Sequence, residues 1–222
     1  MKPQQLPLEL DPAPRYGRGD YLVTASNRSA FAFVDSWPQW PAHRLMIVGP
    51  AGTGKSHLAH IWAEKSGADF VNAQYLTVER AVNPERGQAF VLEDVHKAQD
   101  ERALFHFLNS LAQRKAWLLL TSEDQPAHTI FKLPDLRSRL NGVPRCRLQD
   151  PDEELLEAML AKLFVDRQLA PNPDIIDYLS KRIERTGTAA AAVVEAIDRL
   201  ALSKREPINL SHARKVLENQ DN

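Results

Sequence analysis

The run Arg44-Leu45-Met46-Ile47-Val48 leads directly into Gly49-Pro50-Ala51-Gly52-Thr53-Gly54-Lys55-Ser56. Four consecutive apolar residues before a glycine-rich turn read as a buried strand. Gly-x4-Gly-Lys-Ser is the phosphate-binding loop pattern. Its glycines let the backbone curl until successive N–H groups face a polyphosphate. Lys55 would reach the β and γ phosphates, and the Ser56 hydroxyl would hold Mg²⁺. His57 to Ser66 continues at helical spacing and stops at Gly67. The loop therefore sits at a helix N-terminus, where backbone N–H groups and the helix dipole favour an anion. Strand, loop and helix in this order predict a site for ADP or ATP that takes in Gly49 to His57.

Similar units follow. Short apolar runs at 69–73, 89–94, 116–122 and 143–148 alternate with amphipathic stretches such as 101–115. That alternation predicts an α/β fold with a five-stranded parallel sheet and helices on both faces. The run Ala89 to Leu92 ends in Glu93-Asp94. Acids at a strand end beside the loop are placed to hold Mg²⁺ and to polarise water. The usual order puts Asp first, so the longer Glu93 weakens the expectation of efficient turnover. The run 116–122 ends in Thr121-Ser122, where Ser122 could sense a terminal phosphate with Glu123 beside it. Before the first strand, Tyr21, Leu22 and Val23 are candidates to cover the nucleotide base. Trp37 and Trp40 read as packing residues rather than ligand contacts.

From Asp150 onward the pattern is helical only. Asp150-Pro151-Asp152-Glu153 predicts a helix start capped by Asp150, with Pro at N1 and Glu at N3. Three parts are expected: an extended tail over 1–20, a nucleotide-binding core over 21–149 and a small helical lid over 150–222. The tail holds Gln5-Leu6-Pro7-Leu8-Glu9-Leu10. Leu6, Leu8 and Leu10 could pack on the protein's own body. They could equally dock in an apolar groove of another protein, with Gln5 as polar anchor.

The formal net charge of −1 does not call for a phosphate-backbone partner. Cys146 stands alone and reads as a small buried residue. No run approaches the roughly 18 apolar residues of a membrane span, and no secretory leader is evident, so a cytoplasmic protein without a membrane partner is expected.

Three stretches carry a resemblance: Gly49 to Leu58, Leu119-Leu-Thr-Ser-Glu-Asp-Gln-Pro126 and Leu136-Arg-Ser-Arg-Leu140. Together they resemble the AAA+ core of the bacterial initiator DnaA. A DnaA-like core preceded by a Gln-Leu-x-Leu-x-Leu tail is similar to the Hda/HdaA family of DnaA regulatory inactivators. That resemblance implies an AAA+ P-loop core with a helical lid. It implies that the tail residues Gln5, Leu6, Leu8 and Leu10 bind the replication sliding clamp (the β clamp, DnaN). It implies that Arg139 acts as an arginine finger in trans on the ATP form of DnaA. Hydrolysis by DnaA would then stop re-initiation, with DNA contacted only through the clamp and a homodimer as a further option. The family's lid arginine falls here at about Ala191, and Arg185 is out of register. With Glu93, this predicts weak intrinsic ATPase activity. The alternative reading is a self-assembling AAA+ ATPase such as a helicase loader.

Overall fold

The computed structural model describes residues 16–78, 84–123 and 131–220. Five strands form one parallel sheet in the order β2-β3-β4-β1-β5. They are β1 (Arg44–Val48), β2 (Asp69–Asn72), β3 (Ala89–Glu93), β4 (Trp117–Ser122) and β5 (Arg145–Arg147). The central strands β1, β3 and β4 are near-continuous apolar runs because both of their faces are covered.

Alternate residues of these strands enter two separate cores. Met46, Val48, Phe90, Leu92, Leu118 and Leu120 pack on one side with Leu104, Phe107 and Leu111 of α3 (Glu101–Gln113) and with Leu136 and Leu140 of α4 (Pro134–Asn141). Leu45, Ile47, Val91 and Leu119 pack on the other with α1 (Arg28–Asp35) and with Leu58, Ala59 and Trp62 of α2 (Lys55–Ser66). The tryptophans join this second core. Trp40 stacks on Trp62 at 4.9 Å between ring centroids, and Trp37 meets Trp117 edge-on at 5.8 Å.

Register fixes where the site must lie. β1 pairs with β4 so that Val48 stands opposite Ser122, and β3 pairs with β4 with Leu92 opposite Leu120. The carboxyl ends of β3, β4 and β1 thus emerge side by side at the centre of the sheet. Crevices at such ends are where open parallel sheets bind ligands.

The last four helices are α5 (Glu153–Asp166), α6 (Pro173–Ser180), α7 (Gly187–Lys204) and α8 (Leu210–Gln220). The chain divides into two compact units, one spanning Tyr16–Leu156 with Arg185–Thr188 and the other holding Glu157–Glu184 and 189 onward. Within the second unit the buried side chains include Leu160, Phe164, Ile175, Leu179, Val193, Val194, Ile197 and Val216.

The start of α5 departs from expectation. The cap is Asp152, not Asp150: Asp152 Oδ1 accepts from the Leu155 amide at 2.9 Å. Pro151 therefore precedes the cap instead of occupying the first helical position. Asp152 also accepts from the Ser26 amide at 3.1 Å, which ties the segment before α1 to this helix start. Burial alone would raise the Asp152 carboxyl, but these donors, with Thr24, hold it below its usual range.

Candidate functional site

The glycine loop adopts the curled form that its sequence predicts. Gly52 and Gly54 have φ of 76° and 94°, in the left-handed region that favours glycine. Gly49 N donates to Ser122 O at 3.2 Å, so the loop leaves β1 pinned beside the end of β4. Thr53 is buried and donates its hydroxyl to Pro50 O at 2.9 Å, while Ala51 is exposed and Ser56 half-buried in the first turn of α2. Lys55 is only 7% exposed, and its ammonium donates to Gly49 O and Pro50 O, both at 2.8 Å. Burial lowers the Lys55 pKa, and Glu123 and Asp94 pull it back up, which puts both carboxylates within electrostatic reach of the ammonium.

Glu93 ends β3. Asp94 follows it outside the strand, with φ of 52°. The Asp94 amide donates to Thr121 Oγ1 at 3.0 Å, and its carboxylate pairs with Lys97 at 2.8 Å. Thr121 is thus a clamp between the ends of β3 and β4. Ser122 is 1% exposed. Its hydroxyl lies 3.4 Å from Nδ1 of His96, a residue of the 3-10 turn Val95–Lys97.

Tyr21 lies against the loop. Its ring meets His57 edge-on at 5.0 Å, and a Cβ on Gly54 would stand 3.4 Å from it. Burial pushes its phenol well above the usual range, and the hydroxyl has no hydrogen-bond partner among the described residues. Leu22, the neighbouring candidate, is 41% exposed. His57 Nε2 bonds Gly17 O at 3.0 Å.

Arg139 lies at the other end of the sheet. It occupies the last turn of α4, which leads through Gly142 into the N-terminal end of β5. Its guanidinium sits 5.5 Å from the Phe105 ring centroid. Burial lowers the pKa of Arg44, the first residue of β1, and the charge of Arg139 lowers it further. With β1 between them, Arg139 and the glycine loop are about 13 Å apart along the strand direction. Arg139 does not belong to this chain's own loop site.

Three contributors escaped the sequence reading. His96 and Lys97 contact Ser122 and Asp94, and Gly187 at the start of α7 packs on Gly52. The only signal in the sequence is Gly187 itself, a glycine opening a long helical run. Gln5, Leu6, Leu8 and Leu10 lie outside the described residues, as do residues 124–130. Arg185 pairs with Glu153 at 3.5 Å, and Ala191 is half-buried in α7.

No family model matches the chain. It is 25% identical over 230 residues to the chromosomal replication initiator protein DnaA of Cutibacterium acnes, covering 92% of this chain and 46% of that protein. It superposes on domain III of Thermotoga maritima DnaA with a TM-score of 0.74 at 17% identity, over 96% of this chain and 98% of the other. The fold is that of a DnaA-like AAA+ protein. A DnaA bound to AMPPCP and single-stranded DNA gives a TM-score of 0.63 at 19% identity, covering 87% of this chain and 69% of that one. The chain spans about half the length of the curated relatives it matches. Among the described residues no helix is long and apolar enough to cross a membrane, and no group of three or more His, Cys, Asp or Glu side chains could hold a metal by itself.

Proposed function

We propose that this chain is a nucleotide-binding regulator of replication initiation, acting as an adaptor that completes the active site of DnaA. The observation that carries the reading is the position of Arg139. A guanidinium at the N-terminal end of the sheet is out of reach of its own loop, yet half-exposed for a partner's phosphates. There it would stabilise charge that develops during hydrolysis, the role of an arginine finger. The Gln5-Leu6-x-Leu8-x-Leu10 tail would hold the sliding clamp, bringing the two proteins together on DNA that this chain touches only through the clamp.

The residues fit a nucleoside di- or triphosphate at the chain's own loop. The Gly52–Gly54 cradle, the buried Lys55 ammonium and the unpartnered Tyr21 hydroxyl supply N–H donors, a cation and a polar edge. Mg²⁺ would be held by Ser56 and the acids Glu93 and Asp94. There it would neutralise phosphate charge. Lys55 would exchange its two carbonyl partners for phosphate oxygens.

The test is phosphate release by this protein alone, by DnaA–ATP alone, and by both with DNA-loaded clamp. Release confined to the full mixture, and reduced about a thousandfold or more by Arg139→Ala, supports the adaptor. Leu6→Ala with Leu8→Ala should abolish clamp binding and leave nucleotide affinity intact. Comparable release by this protein alone would replace the adaptor by a self-assembling ATPase such as a helicase loader.

A further inference from the structure

His96 holds two groups at the end of β4. The Glu123 amide donates to its Nδ1 at 3.3 Å, and Ser122 Oγ lies 3.4 Å from the same nitrogen. An amide can only donate, so Nδ1 must carry its lone pair, and the ring proton of the neutral imidazole is on Nε2. Ser122 must then donate as well. One lone pair shared by two donors accounts for both bonds being longer than the usual N–H···O range. Nε2 is buried with no hydrogen-bond partner among the described residues, 3.9 Å from Glu123 Oε2. The imidazole is therefore held against β4 by Nδ1 and fixed in one tautomer. The consequence falls on Ser122. Its one hydroxyl proton is committed to His96, so toward any third group Ser122 presents only lone pairs, which repel an anionic oxygen.

We infer that His96 is a positioning residue that keeps Ser122 from donating to a terminal phosphate, and so makes the loop site indifferent to whether a γ-phosphate is present. The inference rests on the nucleotide-site reading above. The adjacent Lys97 acts in the same sense, because its pairing with Asp94 occupies one of the two acids beside the loop. A single turn, Val95–Lys97, thus restrains groups at the carboxyl ends of both β3 and β4.

The experiment compares ATP and ADP affinities by calorimetry for the full chain and two variants. In His96→Asn the amide oxygen falls near the place of Nδ1 and keeps the acceptor. In His96→Gln the amide reaches the place of Nε2, and Ser122 is released. Wild type and His96→Asn should bind ATP and ADP about equally. His96→Gln should bind ATP about tenfold tighter relative to ADP, the effect of one added hydrogen bond to a charged acceptor. Adding Ser122→Ala to His96→Gln should remove that gain. A wild-type ratio in His96→Gln with ADP binding retained would overturn the inference, as would a gain that survives Ser122→Ala. Loss of all Lys55-dependent binding in the wild type is a different result, which overturns the nucleotide site itself. If His96→Gln fails to fold, a wild type that already prefers ATP tenfold refutes the inference without it.

Discussion

Replacing Gly187 by Ala tests whether the loop depends on a contact made far along the chain. A Cβ at Gly187 would lie 2.1 Å from Gly52 O, 2.7 Å from Gly52 C and 2.9 Å from Gly52 Cα. All three are backbone atoms, so no rotamer change can relieve the contact. The chain segments must separate by more than an ångström. Gly52 is itself in a left-handed conformation, which leaves it little room to follow. Two effects compete. Ala favours the first turn of α7 over Gly by up to about 1 kcal/mol. Overpacking of a tight contact costs about 1–3 kcal/mol. The steric cost wins, leaving a net loss of about 1–2 kcal/mol and a fall in Tm of about 2–8 °C for a chain of this size. The displaced carbonyl belongs to the phosphate loop, so ADP affinity should fall about tenfold or more as the N–H cradle opens. Thermal unfolding with and without ADP measures both effects. A Gly187→Ala protein with equal or higher Tm and unchanged ADP affinity would show that helix propensity dominates and that the Gly52–Gly187 contact does not shape the loop.

Two ionisable groups shifted by their surroundings give further tests. Asp152 has a folded-state pKa below its unfolded value, so its contribution to stability is full above about pH 4 and is lost as pH falls through the folded value; Asp152→Ala should cost about 1 kcal/mol at pH 7 from the lost cap and flatten the acid limb of the stability curve, measured by urea unfolding from pH 2 to 7. A curve with the same acid limb in both proteins would refute the role. Burial pushes the Cys146 thiol up to about 12, outweighing a backbone hydrogen bond that lowers it. At pH 8 the native thiol should therefore resist Ellman's reagent and react only as urea unfolds the chain; rapid labelling of the folded protein would contradict its burial.

What could be read from the amino acids was whatever is local. Leu45 to Val48, Ala89 to Leu92 and Leu118 to Leu120 announce buried parallel strands because each is apolar on both faces, and the glycine loop announces itself by its spacing. What could not be read depends on contacts between distant segments. Asp150 and Asp152 both satisfy the cap pattern, and Pro151 between them favours the first. The choice falls on Asp152, which also takes the Ser26 amide, a partner 126 residues away in sequence. His96 carries no motif, since its significance comes from lying beside Ser122, 26 residues on. Tyr21 and Leu22 are neighbours in sequence, and packing against His57 and Phe31 separates a buried ring from an exposed side chain.

The two ends of the sheet make separate demands on the chain. At the carboxyl end, a loop that holds nucleotide needs Lys55, its glycines and room for phosphates. Hydrolysis would further need Asp94 free of Lys97 and Ser122 free to donate. At the amino end, a finger needs only Arg139, which lies 5.5 Å from the Phe105 ring centroid and beside Arg44. Two like charges near each other in partly buried surroundings gain from an anion placed between them. An adaptor can therefore lose turnover at the first end while keeping the second intact, whereas a self-assembling ATPase requires both in every copy. Variants at Lys55 and at Arg139 consequently separate the two readings. If the chain is an adaptor, Arg139→Ala abolishes activation of the partner without altering this chain's nucleotide affinity. If it is a motor, each substitution alone eliminates the same self-stimulated hydrolysis, and mixing the two inactive proteins restores part of it at mixed interfaces.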